Sequence, residues 1–188
     1  MRINTILTLA VVLSAAVCSN LQAQTEGKKR EVGIQFTNLN FDGFTTFSVL
    51  YRKQKSENVY RRIRATFGSI YLQSANDNNT LGFNAGMSIG REKRRALDGK
   101  LEFYRGPEFS VGLGLTTGDV QDSRAGISLG FGYVLGLQHS FNERWAVNVE
   151  TIPAIGVNLN VGENSVNNRF GAGVNANSTV SLGVIRKF

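Results

Sequence analysis

The sequence predicts an all-β fold: an eight-stranded antiparallel up-and-down transmembrane β-barrel over residues 24–188, preceded by a cleaved signal peptide at residues 1–23. Three observations predict it. Apolar residues recur at period two from Val32 to the end of the chain, while the helical period is largely missing. The connectors fall into two alternating kinds, as they do when successive turns lie at opposite ends of a meander. Past the N-terminal segment, no apolar run is long enough for a membrane helix, so any crossing must be made in strands.

The first element is the targeting segment. Arg2 gives it a positive start, Ile6 to Val17 form an apolar core, and Leu21 and Ala23 are suitably placed for cleavage before Gln24. Lipid attachment at Cys18 is the alternative, and Val17 stands against it where a small residue is usual. Cleavage after Ala23 removes the single cysteine, and with it disulfide and thiol chemistry. It also removes one cation, Arg2, leaving 20 Lys plus Arg against 14 Asp plus Glu, or about +6. A basic exported chain of this kind points to anionic lipid headgroups and away from nucleic acid.

Eight strands follow. The first, "EVGIQFT", places Val32, Ile34 and Phe36 on one face, and the second, "FTTFSVLYRK", does the same with Phe47, Val49 and Tyr51. The third, "VYRRIRATFGSIYLQ", sets Ile63, Ala65, Phe67 and Tyr71 opposite Arg62, Arg64, Thr66 and Gly68. In the fourth, "TLGFNAGMSIGRE", Leu81, Phe83, Ala85, Met87 and Ile89 alternate with glycine, asparagine and serine. The fifth, "KLEFYRGPEFSVGLGLT", carries Phe109, Val111 and Leu113 opposite Glu102, Tyr104 and Glu108. The sixth, "AGISLGFGYVLGLQHSF", groups Ile127, Leu129, Phe131, Leu135 and Leu137. The seventh, "RWAVNVETIPAIGVNLN", puts Trp145, Val147, Val149 and Ile155 opposite Asn148 and Glu150. The eighth runs from about Phe170 to Phe188.

Between the strands, "NLNFDG", "QSANDNN", "TTGDVQDSR" and "VGENSVNNR" are rich in Asn, Asp and Gly, whereas "KQKSEN", "EKRRALDG" and "FNER" are charged or tight. Pro107 and Pro153 fall inside strands, where a missing ladder donor predicts a local bulge or edge-like spot. Arg105, on an otherwise apolar face, supports a bulge at "RGP".

Alternation alone does not say whether the apolar face points in or out. Three features turn it outward, toward lipid. Several strands alternate over ten residues or more, beyond the usual soluble strand. The opposite face holds Arg62, Arg64, Glu102, Glu108, Glu150 and Lys187 among small residues, which suits a narrow lumen. Tyr51, Tyr71, Phe141, Trp145 and Phe188 stand near strand ends, where interfacial girdles form. Eight strands leave room for side chains and no open channel, so Glu102, Glu108 and Glu150 are expected to pair with Arg62 and Arg64 as a structural charge network.

On these residues the chain resembles the small bacterial outer-membrane β-barrels of the OmpA and OmpX type. The resemblance rests on the signal, the eight amphipathic strands, the terminal Phe188 and the string "SIGREKRRALDGKLEFYRGPEFSV", and covers nearly all of residues 31–188. It implies a Gram-negative outer-membrane location with both termini in the periplasm. It also implies that the barrel-assembly machinery reads the last strand, here through Val180, Leu182, Val184 and Phe188.

Nothing in the chain assembles a catalytic centre. His139 is the single histidine, and by parity it lies on the apolar face as an interfacial imidazole. Lipid A deacylase barrels use a histidine, a serine two residues on and a downstream glutamate. Phe141 stands two residues on here, Ser140 faces the other way, and Glu150 faces the lumen. Histidine–cysteine metal sites are excluded by count, and Asp77, Asp119, Asp122 and Glu163 have no calcium-loop spacing. The glycines of "GLGLTTG" and "GFGYVLG" sit at period two, as lumen packing requires, and lack a strand-to-helix setting for phosphate. Basic residues, Arg52, Lys53, Lys55, Arg61, Arg91, Lys93, Arg94, Arg95 and Lys100 among them, crowd one end, as a solvated rim or an anchor on anionic headgroups. The expectation is a monomeric, non-enzymatic barrel without cofactor or metal, serving membrane integrity or surface interaction such as adhesion. A narrow solute channel and a soluble exported lipocalin-like binder are the alternatives.

Overall fold

Period-two alternation does build strands throughout. A computed structural model describes residues 29–40, 43–68, 71–75, 78–118, 124–162, 169–175 and 180–188. The expected signal peptide, Cys18 and the loop acids Asp42, Asp77, Asp119, Asp122 and Glu163 lie outside the described residues.

The elements are β1 (Arg30–Asn40), β2 (Gly43–Ser56), β3 (Val59–Phe67), β4 (Tyr71–Ala75), β5 (Asn78–Asp98) and β6 (Leu101–Gly118). They continue with β7 (Arg124–Ser140), β8 (Trp145–Thr151), β9 (Ala154–Gly162), β10 (Arg169–Asn175) and β11 (Ser181–Lys187). Pairing groups them into eight staves, because β3 with β4, β8 with β9, and β10 with β11 each form one interrupted stave. Every pair is antiparallel, and β1 bonds to both β2 and β11, so the sheet closes on itself. Closure leaves no free edge. The Phe188 N–H donates to the Arg30 carbonyl at 2.8 Å, so even the last residue is tied to the first stave.

Register fixes the shape. The rung through Arg95 passes Phe103, Leu137, Val149, Leu182, Phe36, Phe47 and Phe67 and returns to the starting stave at Ala85, ten residues away. A shear of ten over eight staves tilts the strands by roughly 40°, the usual inclination of such barrels. The turns at the end shared with the termini are tight. Glu57 and Asn58 alone join β2 to β3, and Gly99 and Lys100 join β5 to β6, where the Asp98 carboxylate accepts the Gly99 N–H at 2.7 Å. At the next turn the Asn142 side-chain oxygen accepts the N–H groups of Arg144 and Trp145, each at 2.8 Å.

The barrel is inside out. Met87, Leu113 and Ile155 are 60%, 56% and 56% exposed on the outer wall, while Arg52 and Arg62 are fully buried in the lumen. Water would penalise such a surface heavily, and hydrocarbon would not.

Four expectations are corrected. The runs "KQKSEN" and "EKRRALDG" are mostly strand: β2 extends to Ser56, and β5 runs 21 residues to Asp98. Neither proline makes a bulge. Pairing of β6 with β7 holds one register through Pro107, and β7 keeps one register with β8 and β9 across Pro153. Each proline is an edge-like spot, the other half of that expectation: Ile152 and Pro153 drop out of the strand, and no β5–β6 pair forms at Gly106 or Pro107. Arg105 therefore keeps outward parity. The third stave slips instead. Phe67 pairs with Ala85 but Tyr71 with Gly82, so the count from Ile63 does not carry to Tyr71.

Candidate functional site

The inward residues nearest the tight turns form a charged cluster that fills the lumen. Parity supplies its members: Glu31 from β1, Arg52 from β2, Arg62 and Arg64 from β3, Glu92 and Arg94 from β5, Glu108 from β6 and Glu150 from β8. Each shares the inward parity of its strand, so folding the wall carries these charges inward together.

Glu150 is the centre. Its carboxylate lies 2.8 Å from Arg62 Nη2, 3.2 Å from Arg64 Nη1 and 3.4 Å from Arg52 Nη2, and accepts the Tyr104 hydroxyl at 2.9 Å. Arg62 also reaches Glu108 at 2.7 Å and Glu92 at 3.1 Å. Arg64 pairs with Glu108 as well. On the side of the turns, Arg94 joins Glu31 and Glu92, each at 2.7 Å, and Glu102 at 3.2 Å. Arg52 bridges the two groups, with Glu92 at 3.1 Å and Glu31 at 3.4 Å, and donates to the Gln138 side-chain oxygen at 2.7 Å.

Aromatic rings complete the filling. The Arg52 guanidinium lies 4.6 Å from the Tyr104 ring centre, and Arg94 lies 3.7 Å from that of Tyr60. Tyr104 crosses the lumen beside its rung partner Gly136, where a Cβ would overlap the ring, so the glycine makes space for the phenol. Burying charge is costly unless each has partners, and here every guanidinium meets at least two carboxylates. Five glutamates face four arginines across the cluster, so its formal charge is near neutral.

Of the residues singled out in the sequence, Arg62, Arg64, Glu108 and Glu150 come together. Glu102 reaches only Arg94, from the partly exposed margin. Glu31, Arg52, Glu92 and Arg94 join them although the sequence does not single them out for the lumen, where Arg52 and Arg94 read as part of the basic rim. Parity was the available signal: Glu92 and Arg94 lie two and four residues beyond inward Gly90 on the same strand. Lys187, also inward, donates to the Ser140 hydroxyl at 2.5 Å. His139 is exposed with its ring against Phe141, 5.5 Å between centres, and Ser140 is engaged by Lys187.

Toward the opposite end the lumen changes character. A cavity of about 480 Å³ is lined by Thr46, Thr66, Asn84, Ser128, Asn158 and Asn160 with glycines between them, and none of the described residues lining it is charged. On the last stave Leu182, Val184 and Phe188 point outward and exposed, as does Val180 before it. Arg186 shares their face, its guanidinium 5.1 Å from the Phe188 ring and 5.8 Å from the Trp145 ring.

No protein-family model matches the chain, and no curated protein sequence does. Solved structures do match. A major outer membrane protein of Thermus thermophilus aligns with a TM-score of 0.52 at 13% identity, over 87% of this chain and 100% of that one. Ail, the attachment invasion locus protein of Yersinia pestis, solved with the heparin analogue sucrose octasulfate, aligns with a TM-score of 0.51 at 14% identity, over 87% and 100%. At these identities the likeness is one of fold: the chain has the closed eight-stranded antiparallel barrel of outer-membrane proteins.

Proposed function

We propose that this protein spans a Gram-negative outer membrane as a plugged, monomeric barrel with a structural or surface-interaction role, in membrane integrity or adhesion, and that it is not an enzyme. The observation that carries this reading is the closed charge cluster around Glu150 beneath an apolar outer wall. A lumen filled by paired arginines and glutamates leaves the outer surface and the loops as the parts that meet other molecules. The fold shared with Ail, whose name records attachment and invasion, supports the surface role.

Export requires the signal at residues 1–23, and insertion uses Val180, Leu182, Val184 and Phe188 as the strand read by the assembly machinery. The lipocalin-like alternative needs an apolar cavity, whereas this lumen is charged and polar. Heat-modifiable gel mobility of protein extracted from the outer-membrane fraction tests the reading. Faster migration before boiling than after it is expected, and recovery from the soluble periplasm without detergent would overturn it.

A further inference from the structure

The outer wall is not uniform around the barrel. Along a stave tilted by about 40°, each residue changes depth by about 2.5 Å, and each step along a rung shifts it by about 3 Å. On that count Lys53, Arg61, Arg91, Lys93 and Arg105, which are neighbours in register on β2, β3, β5 and β6, share a band about 6 Å tall. At the same level the far wall presents Val32, Leu137, Val147 and Val184. At this level the cations crowd one side of the barrel, and the far wall carries Arg186, one outward position nearer the turns than Val184.

These five cations have no ion-pair partner among the described residues, and the inward glutamates Glu31, Glu92, Glu102, Glu108 and Glu150 all belong to the lumen cluster. A crevice opens in the same wall where Pro107 leaves the β5–β6 ladder incomplete. Lys55, Arg61 and Arg91 edge it, and Ile89, Phe109 and Phe131 lie on its belt side. Cations beside an apolar floor match an amphiphile: phosphate toward the guanidinium groups, acyl chain along the rings.

We propose that this wall is a binding site for a phosphate-bearing anionic lipid in the leaflet at the turn end of the barrel. The site rests on the membrane reading above and adds a preferred lipid class and a preferred side to it. Charge complementarity selects the occupant, since a zwitterionic headgroup would leave the cations uncompensated.

The test is native mass spectrometry of the detergent-purified full barrel, titrated with phosphatidylglycerol, phosphatidylcholine or inorganic phosphate. The expected result is about tenfold stronger retention of phosphatidylglycerol than of phosphatidylcholine, without displacement by phosphate. R61Q/R91Q/K93Q brings the two lipids to parity, Arg91→Gln alone gives an intermediate ratio, and Arg186→Gln, on the far wall, leaves the preference intact. Equal retention of both lipids by the unaltered protein, or a preference that survives the triple change, overturns the proposal. Displacement by inorganic phosphate, or a stoichiometric protein held in place of lipid, overturns the lipid assignment. Heat-modifiable mobility measured on each variant separates loss of the site from loss of the barrel.

Discussion

The two halves of the lumen share a wall and a radius, yet one is full and the other is open. Near the turns, Arg52, Arg62, Arg94, Glu92 and Glu150 are long side chains locked to one another, and the space between them is closed. Near the loops, glycines alternate with Ser, Thr and Asn, and side chains lie flat on neighbouring glycines, as Ser128 does on Gly112 and Asn160 on Gly126. Barrel width is set by strand number and shear, so the contrast comes from side-chain volume and charge alone. Charge can fill such a space only reciprocally, because a guanidinium without its carboxylate would be stranded in a dry interior. Neutral hydroxyls and amides tolerate water and need no such closure.

If this contrast is right, substitutions should divide by half. Glu150→Leu removes the partner shared by Arg52, Arg62 and Arg64, and is expected to destabilise the barrel by about 3–5 kcal/mol. Urea midpoints of the compact, unboiled gel form measure this loss. Gly136→Val pushes a side chain into the Tyr104 ring and should cost about 1–3 kcal/mol in the same assay. Gln35 sharpens the rule. Its buried amide has no hydrogen-bond partner on either atom among the described residues, so Gln35→Leu should be neutral or stabilising by up to about 2 kcal/mol. A loss of stability there would show that polar burial in this lumen does not depend on pairing. Asn158→Ala, in the open half, should change the midpoint by no more than about 0.5 kcal/mol equivalent.

The sequence carries the fold well because alternation is a property of each strand by itself. Outward Ile127 to Leu137 and inward Arg62 and Arg64 follow from parity with no knowledge of neighbours. What it hides is how far a strand runs when both of its faces are charged. In "REKRR" outward Arg91, Lys93 and Arg95 alternate with inward Glu92 and Arg94, and polarity on both faces reads as a connector. Glu92 and Arg94 are hidden there, as Arg52 is near the end of β2. Register is hidden for a related reason. The slip between Phe67 and Tyr71 is one residue in the third stave, visible only against β5. The prolines act as edge-like spots without bulges, since a closed ladder can forgo a rung and keep its register.

The central claim is that the charged half seals the barrel. Purified protein in planar bilayers tests it most directly. The account predicts no steady ionic steps from the unaltered protein, with steps appearing in a folded variant that loses bulk and charge together, Arg62→Ala with Glu150→Ala. Steady conductance by the unaltered barrel, abolished by those same changes, would contradict it.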